Sequence, residues 1–371
     1  MKPLHILHTE AAAGWGGQEI RVLQETNMLL ERGCRVSLVC RPGSPLEKRC
    51  RSLSCLSFDC RPIDMKMSPG AFAAFYRYFR EKRPDIVHTH SSNDSWLGGL
   101  AGRFADIPVV RSRHVSLPIN NFFPNHFLYS YFPERIITSG TAISEMVKQI
   151  RGVDPSKVVS ISAGVDLHRF DMALSGDIIR AELKVRPSQP LVGKIGVIRG
   201  WKGYDDFLEA IPIILEKVSE VRFVIVGDGP GFEQIQSKIR AAGLGDQVTL
   251  LGHREDVPEI MAALDVQVLA SHSGEGTPQV IPQAFAMRTP MVATSITSIP
   301  ELLGNGERGV LIEPRNPRSL AEGVLKLICD RDLAARLAKN AYSFCRKELT
   351  VDKMIDATLA VYEAVLSSPT K

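Results

Sequence analysis

At 371 residues the chain exceeds one ordinary domain and fits two of about 150–200 residues each. Its 44% hydrophobic and 23% charged content is that of a globular chain with material for two cores. The net charge of +4 is dispersed, with no nucleic-acid motif, and no stretch approaches the roughly 20 apolar residues of a spanning helix.

Leu4–His8 reads as a strand at the very start, with no signal-peptide region before it, which sets a cytoplasmic expectation. Gly17–Arg32 follows with helical periodicity in Ile20, Leu23, Leu29 and Leu30. Strands are then expected at Arg35–Cys40, Ile86–His90, Val109–Ser112, Arg135–Ser139 and Val158–Ser162, with helices at Ser95–Phe104 and Thr141–Ile150. Regularity lapses over Asp171–Pro190 and then restarts. The second half alternates the strands Leu191–Val197, Arg222–Val226, Val248–Leu251, Val266–Ala270, Met291–Thr294 and Val310–Ile312 with helices, the last running from Asp332 to about Leu366. Such alternation favours α/β architecture with parallel, doubly wound sheets. Seven cysteines, odd in number and without a Cys-x-x-Cys pair, read as reduced thiols.

Chemistry concentrates at strand-to-helix turns, where the carboxyl edge of an open sheet binds ligands. Gly14-Trp-Gly-Gly-Gln-Glu19 opens the first helix, and Gly16 and Gly17 suit close approach to a phosphate as well as a plain tight turn. Arg199 and Lys202 stand three apart in a Gly-bounded turn and are able to converge on one anion such as a diphosphate. Gly227 and Gly229 lie in a Gly-rich turn after the next strand. Glu275 sits in the loop Glu275-Gly-Thr-Pro278, where a carboxylate accepts hydrogen bonds from hydroxyls. His114 follows a strand beside Arg111 and Arg113. His88 and His90 flank a strand end, but no third ligand of suitable spacing accompanies them, so no metal is expected. The aromatic stretches Asn121–Phe132 and Phe72–Phe79, with Arg77, Arg80, Lys82 and Arg83 nearby, fit either core packing or docking on an anionic leaflet.

These motifs, in this order, resemble those of the family 4 (group 1) nucleotide-sugar-dependent retaining glycosyltransferases. The Glu-Gly-x-Pro loop of that family is followed, eight residues after its Glu, by a second Glu; this chain has Gln283 there. Arg199-Gly-Trp-Lys-Gly203 is similar to the Arg-x-x-Lys-Gly segment and Val226-Gly-Asp-Gly229 to the Val-Gly-x-Gly turn, while Gly164-Val-Asp-Leu-His-Arg-Phe170 matches the turn before the second domain. The resemblance implies a GT-B fold, two Rossmann-like domains facing across a cleft: 1–170 for the acceptor, 171–351 for the donor, and 352–371 as a helix packing back on the first.

By that resemblance Glu275 and His114 meet the transferred sugar, and Arg199 and Lys202 hold the diphosphate. Gly16, Gly17, Gly227, Gly229, Gly276, Thr277 and Pro278 line the donor, His253 and Arg254 neighbour its base, and Gln283 takes the ribose contact. Gln keeps an acceptor oxygen but loses the charge, which weakens one hydrogen bond by about 1 kcal/mol. No metal and no cofactor is implied, the nucleotide-diphosphate-sugar being a substrate. The implied partners are that donor and a saccharide or lipid-linked saccharide acceptor, such as one of lipopolysaccharide synthesis at the inner membrane leaflet. The alternative is a noncatalytic nucleotide-sugar or glycan-binding protein of the same fold, which Gln283 alone favours.

Overall fold

The computed structural model describes residues 3–53, 57–119 and 123–367. Cys55 and the Asn121–Phe122 start of the aromatic stretch lie outside the described residues. The chain divides into two compact units, Met1–Gly164 with Val351–Lys371, and Val165–Thr350. The segment 171–190 belongs wholly to the second unit and carries a short helix, Asp177–Glu182.

The first unit is built on a seven-stranded sheet: β1 (His5–Glu10), β2 (Arg35–Cys40), β3 (Phe58–Pro62), β4 (Ile86–Thr89), β5 (Val109–Arg113), β6 (Arg135–Thr138) and β7 (Val158–Ser160). Their order is β3-β2-β1-β4-β5-β6-β7, and every neighbouring pair is parallel. The order reverses between β1 and β4, which makes their carboxyl ends a switch point of the kind that accepts ligands. β3 was not expected from the sequence. It lies at the sheet edge, pairs on one side only, and is only half-buried, so Phe-Asp-Cys-Arg-Pro lacks the apolar run of an inner strand.

Helices α1 (Gly17–Glu31), α2 (Pro45–Arg51), α3 (Pro69–Lys82) and α4 (Ser92–Phe104) cross between these strands. Ser44 and Ser68 cap α2 and α3, each followed by Pro at the first helical position. On one face of the sheet, Leu7, Val39, Val87 and Val109 pack on Phe75, Tyr78, Phe79, Leu97 and Ala101 of α3 and α4. On the other, Ile6, Val36, Ile86, Val110 and Ile137 share a core with Leu29 of α1 and with Met354, Ile355, Val361, Tyr362 and Val365. The last five lie on the C-terminal helix, Val351–Leu366, which thereby completes this face.

The second unit carries six parallel strands: β8 (Leu191–Ile195), β9 (Arg222–Val226), β10 (Val248–Gly252), β11 (Val266–Leu269), β12 (Met291–Thr294) and β13 (Val310–Ile312). Their order is β10-β9-β8-β11-β12-β13. One core joins Val192, Phe223, Val268 and Val292 to Phe207, Ile211, Val324 and Leu327; a second joins Leu269 and Ala293 to Ile281, Phe285, Ala341 and Cys345. The expected single tail helix is two, Arg331–Glu348 and Val351–Leu366. They part at Leu349-Thr350, where Val165 N–H donates to Leu349 O at 2.8 Å and Val165 forms a parallel bridge with Thr350. Backbone that pairs with a neighbouring segment cannot continue a helical ladder. Among the described residues no helix is long and apolar enough to cross a membrane.

Candidate active site

In the second unit the site is built where β8, β9 and β11 end. Past β8 the chain makes one tight helical turn, Gly200–Lys202, capped by Gly203 at φ +64°. A Cβ on Gly203 would stand 1.8 Å from Ala270 O, so only glycine lets this turn lie against the end of β11. His272 N–H donates to Trp201 O at 2.7 Å and links the two turns. As a result Lys202 Nζ reaches Glu275 Oε1 at 2.6 Å, and Ser271 Oγ donates to the same oxygen at 2.5 Å. Glu275 is 5% exposed. Two motifs 73 residues apart in sequence thus meet as one ion pair.

Arg199 takes a different course. Its guanidinium lies 5.4 Å from the Trp201 ring centre, and with Trp201, Pro230, Gly231 and Gln234 it borders an open depression of about 380 Å³. The far wall of that depression belongs to the turn after β9. There Gly227, at φ +140°, brings its backbone so near Gly196 O that a Cβ would be 2.0 Å away, and Gly229 lies against Ile198. Gly276, Thr277 and Pro278 are buried behind Glu275, and Gln283 is half-buried on the helix Val280–Ala286.

His253 is exposed and contacts Glu255 at 3.0 Å. Arg254 is committed elsewhere. It binds Glu182 at 2.6 and 3.0 Å and Asp256 at 2.8 and 2.6 Å, so two carboxylates occupy its donors. Asp256 and then Glu182 hold its proton more firmly than usual.

Lys194 was not singled out from the sequence, although it is the one charge within the apolar strand Leu-Val-Gly-Lys-Ile. It is 2% exposed, donates from Nζ to Lys202 O at 2.8 Å, and lies 4.6 Å from the Tyr204 ring centre. Burial, followed by repulsion from Lys202, brings its pKa down to about 7. The backbone that carries Lys202 is therefore held by a second, largely desolvated amine.

In the first unit, Gly16 begins α1 without a side-chain cap, and the Arg49 guanidinium lies 4.0 Å from the Trp15 ring centre. Glu10, also missed from the sequence, is fully buried at the end of β1. It accepts from Ala12 N–H at 2.8 Å and Gln18 Nε2 at 2.6 Å and so shapes the glycine turn. Burial, then Asp94 and Glu19, push its carboxyl well above the usual range.

His114 is half-buried, and its Nε2 lies 3.1 Å from His90 Nδ1. Burial keeps the imidazoles of His88, His90 and His114 far below their ordinary pKa, and His8 falls to about 3. Arg113 bonds Tyr129 Oη and Leu117 O, while buried Arg111 stacks on Tyr129. No third ligand stands at a suitable spacing from His88 and His90 in the sequence, but the fold brings two from remote segments. His8 from β1 and Glu25 from α1 lie with them, all four buried, with one potential ligand atom of each within 4.8 Å of the others.

Models of two families match the chain: "Glycosyltransferase Family 4" over residues 15–169 and "Glycosyl transferases group 1" over residues 176–344. Among similar proteins, the Escherichia coli UDP-Gal:alpha-D-GlcNAc-diphosphoundecaprenol alpha-1,3-galactosyltransferase is 27% identical over 98% of both chains. The alpha-D-kanosaminyltransferase of Streptomyces kanamyceticus is 29% identical over 79% of this chain and 74% of its own. Of solved structures, a glycosyltransferase from Rickettsia africae gives a TM-score of 0.88 at 20% identity, covering 99% of this chain and 100% of the other. Anabaena Alr3699/HepE in complex with UDP-glucose gives 0.84 at 20%, covering 97% and 100%. These two share the fold, two Rossmann-like parallel-sheet domains of the GT-B class. Matched in both halves by glycosyltransferase models and in architecture by GT-B structures, the chain belongs to the family 4 (group 1) glycosyltransferases, enzymes of sugar transfer.

Proposed function

We propose that the protein is a retaining glycosyltransferase that moves a sugar from a nucleoside-diphosphate-sugar to a hydroxyl acceptor without a metal at the diphosphate. The meeting of Lys202, Glu275 and Ser271 at one sheet edge is the observation that carries this reading. With donor bound, Lys202 exchanges Glu275 for the diphosphate and Arg199 swings from Trp201 to join it, so two cations stabilise the leaving group. Glu275, released, accepts hydrogen bonds from sugar hydroxyls. The C1–O bond to the diphosphate breaks with its electron pair going to phosphate. The acceptor oxygen bonds C1 on the same face, and its proton passes to the departing phosphate oxygen.

A uridine diphosphate donor is the first to test, because the E. coli relative is named for UDP-Gal. A lipid-linked saccharide acceptor in cell-surface glycan synthesis follows the same name. Contact with an anionic leaflet belongs to the same reading, supported by the exposed rings of Phe104 and Tyr131 with Arg103 beside them in the first unit.

The test is turnover in chelator-treated buffer with a panel of UDP-sugars, for wild type and Lys202→Ala. Expected is transfer without added divalent ion and a loss of roughly 10²–10³-fold in kcat/KM for the variant. Turnover that needs Mg²⁺ or Mn²⁺, product of inverted anomeric configuration, or an unimpaired Lys202→Ala would refute the mechanism. Donor binding with no turnover toward any acceptor would shift the assignment to a binding protein.

A further inference from the structure

We infer that His8, Glu25, His88 and His90 form a binding site for one divalent metal ion of the zinc class inside the first unit. The four side chains come from β1, α1, β4 and the residue that follows β4, are all buried, and offer ligand atoms within 4.8 Å of one another. A tetrahedral ion with bonds of about 2.0–2.2 Å holds its ligand atoms roughly 3.4 Å apart, so small side-chain movements close the set. Three imidazoles and one carboxylate, with no thiolate, make a donor set that suits Zn²⁺.

A second observation points the same way. His8 Nε2 and Glu25 Oε2 are buried with no hydrogen-bond partner. Polar atoms in that condition are costly, and an ion bonded through them removes the cost. Three of the four residues are also braced from behind, as metal ligands characteristically are. Ser112 Oγ lies 2.8 Å from His88 Nε2, His114 Nε2 lies 3.1 Å from His90 Nδ1, and Arg21 Nε donates to Glu25 Oε1 at 2.8 Å. That leaves His88 Nδ1, His90 Nε2, Glu25 Oε2 and one ring nitrogen of His8 for the ion.

Two present contacts give way when the ion enters. Tyr362 Oη lies 2.6 Å from His88 Nδ1, and His8 Nδ1 lies 2.8 Å from His90 Nε2. Arg21 partly offsets the Glu25 charge, so the site is one of moderate affinity. Its role is to tie α1 to the ends of β1 and β4, directly behind His114.

The experiment uses the full chain without a histidine tag, stripped with chelator and titrated with Co²⁺ alone. Expected are saturation at one equivalent per chain, visible absorption of tetrahedral Co²⁺, its displacement by Zn²⁺, and a rise in Tm with Zn²⁺. His8→Gln and Glu25→Gln should each weaken Co²⁺ binding by roughly tenfold or more, whereas exposed His168→Gln should not. No saturable absorption and no Zn²⁺-dependent Tm shift in wild type would overturn the inference, leaving a hydrogen-bonded imidazole network with water at its two orphan atoms. Undiminished binding in both site variants would overturn it as well. If either variant does not fold, the wild-type titration still decides. Every readout is binding rather than turnover, so the outcome is separate from that of the transfer mechanism.

Discussion

Gln283 stands where the family's second glutamate is expected, half-buried on a helix that begins just after Pro278. If it takes the ribose hydroxyls, Gln283→Glu replaces a mixed donor and acceptor by a doubly accepting carboxylate. The gain of about 1 kcal/mol corresponds to roughly fivefold tighter UDP binding, read by calorimetric titration. Unchanged or weaker binding would remove Gln283 from the donor site. Lys194 gives a pH signature. Its folded pKa of about 7 lies below the 10.5 of a free lysine, so between those values the unfolded chain holds the extra proton. Stability from this group therefore rises with pH from about 7 toward 10 and is lowest below 7. Urea unfolding at pH 7 and pH 9 should show that rise in wild type and a flatter response in Lys194→Met; equal slopes would mean that Lys194 is not desolvated as described. At this scale the sequence marked some of the candidates plainly. Arg199, Lys202 and Glu275 sit in Gly-bounded turns after apolar strands, and a lone lysine in such a strand was a signal left unused. His8 and Glu25 carried none, because they join His88 only through pairing of β1 with β4 and packing of α1.

Among elements, the inner strands were legible because burial on both faces demands unbroken apolar runs, as in Arg-Phe-Val-Ile-Val of β9. β3 was hidden by its edge position. α3 announced itself through Ser68-Pro69 and the spacing of Phe72, Phe75 and Phe79, but was read only as an aromatic stretch with two possible uses. The structure divides that stretch by face. Phe75, Tyr78 and Phe79 are core, and so are Leu128, Tyr129 and Phe132 of the second stretch. On the outside lie Tyr131 of the second stretch, 55% exposed beneath the Arg103 guanidinium, and Phe104 at the end of α4, 64% exposed and edge-on to Phe72. Exposed Arg77 and Arg80 lie on α3 itself. Rings with basic neighbours suit the headgroup region of an anionic leaflet. Co-sedimentation with vesicles containing anionic lipid should fall severalfold in the pair Phe104→Ser with Tyr131→Ser, and with added salt. Equal sedimentation of variant and wild type would assign these rings no membrane role.

At the scale of the whole molecule, each unit owns separate cores, so a ligand of one need not steady the other. The three tryptophans allow this to be followed: Trp15 and Trp96 lie in the first unit and Trp201 in the second, at the rim of the depression beside Arg199. With Trp15 and Trp96 replaced by Phe, UDP at a hundredfold excess over its Kd should stabilise the transition seen by Trp201 by about 2.7 kcal/mol. A version that keeps only Trp15 and Trp96 should report a smaller shift; equal shifts would mean that the units unfold as one.

The C-terminal helix has a consequence for synthesis. Residues 1–164 leave the ribosome first, yet one face of their sheet is covered by Met354, Ile355, Tyr362 and Val365. The second unit, encoded wholly between the two parts, can finish folding while that face has Leu29 of α1 on it but not yet the C-terminal helix. The domain made first is therefore the last to close, and the nascent chain carries a partly open apolar sheet face through most of its translation, the period in which a chaperone has something to hold.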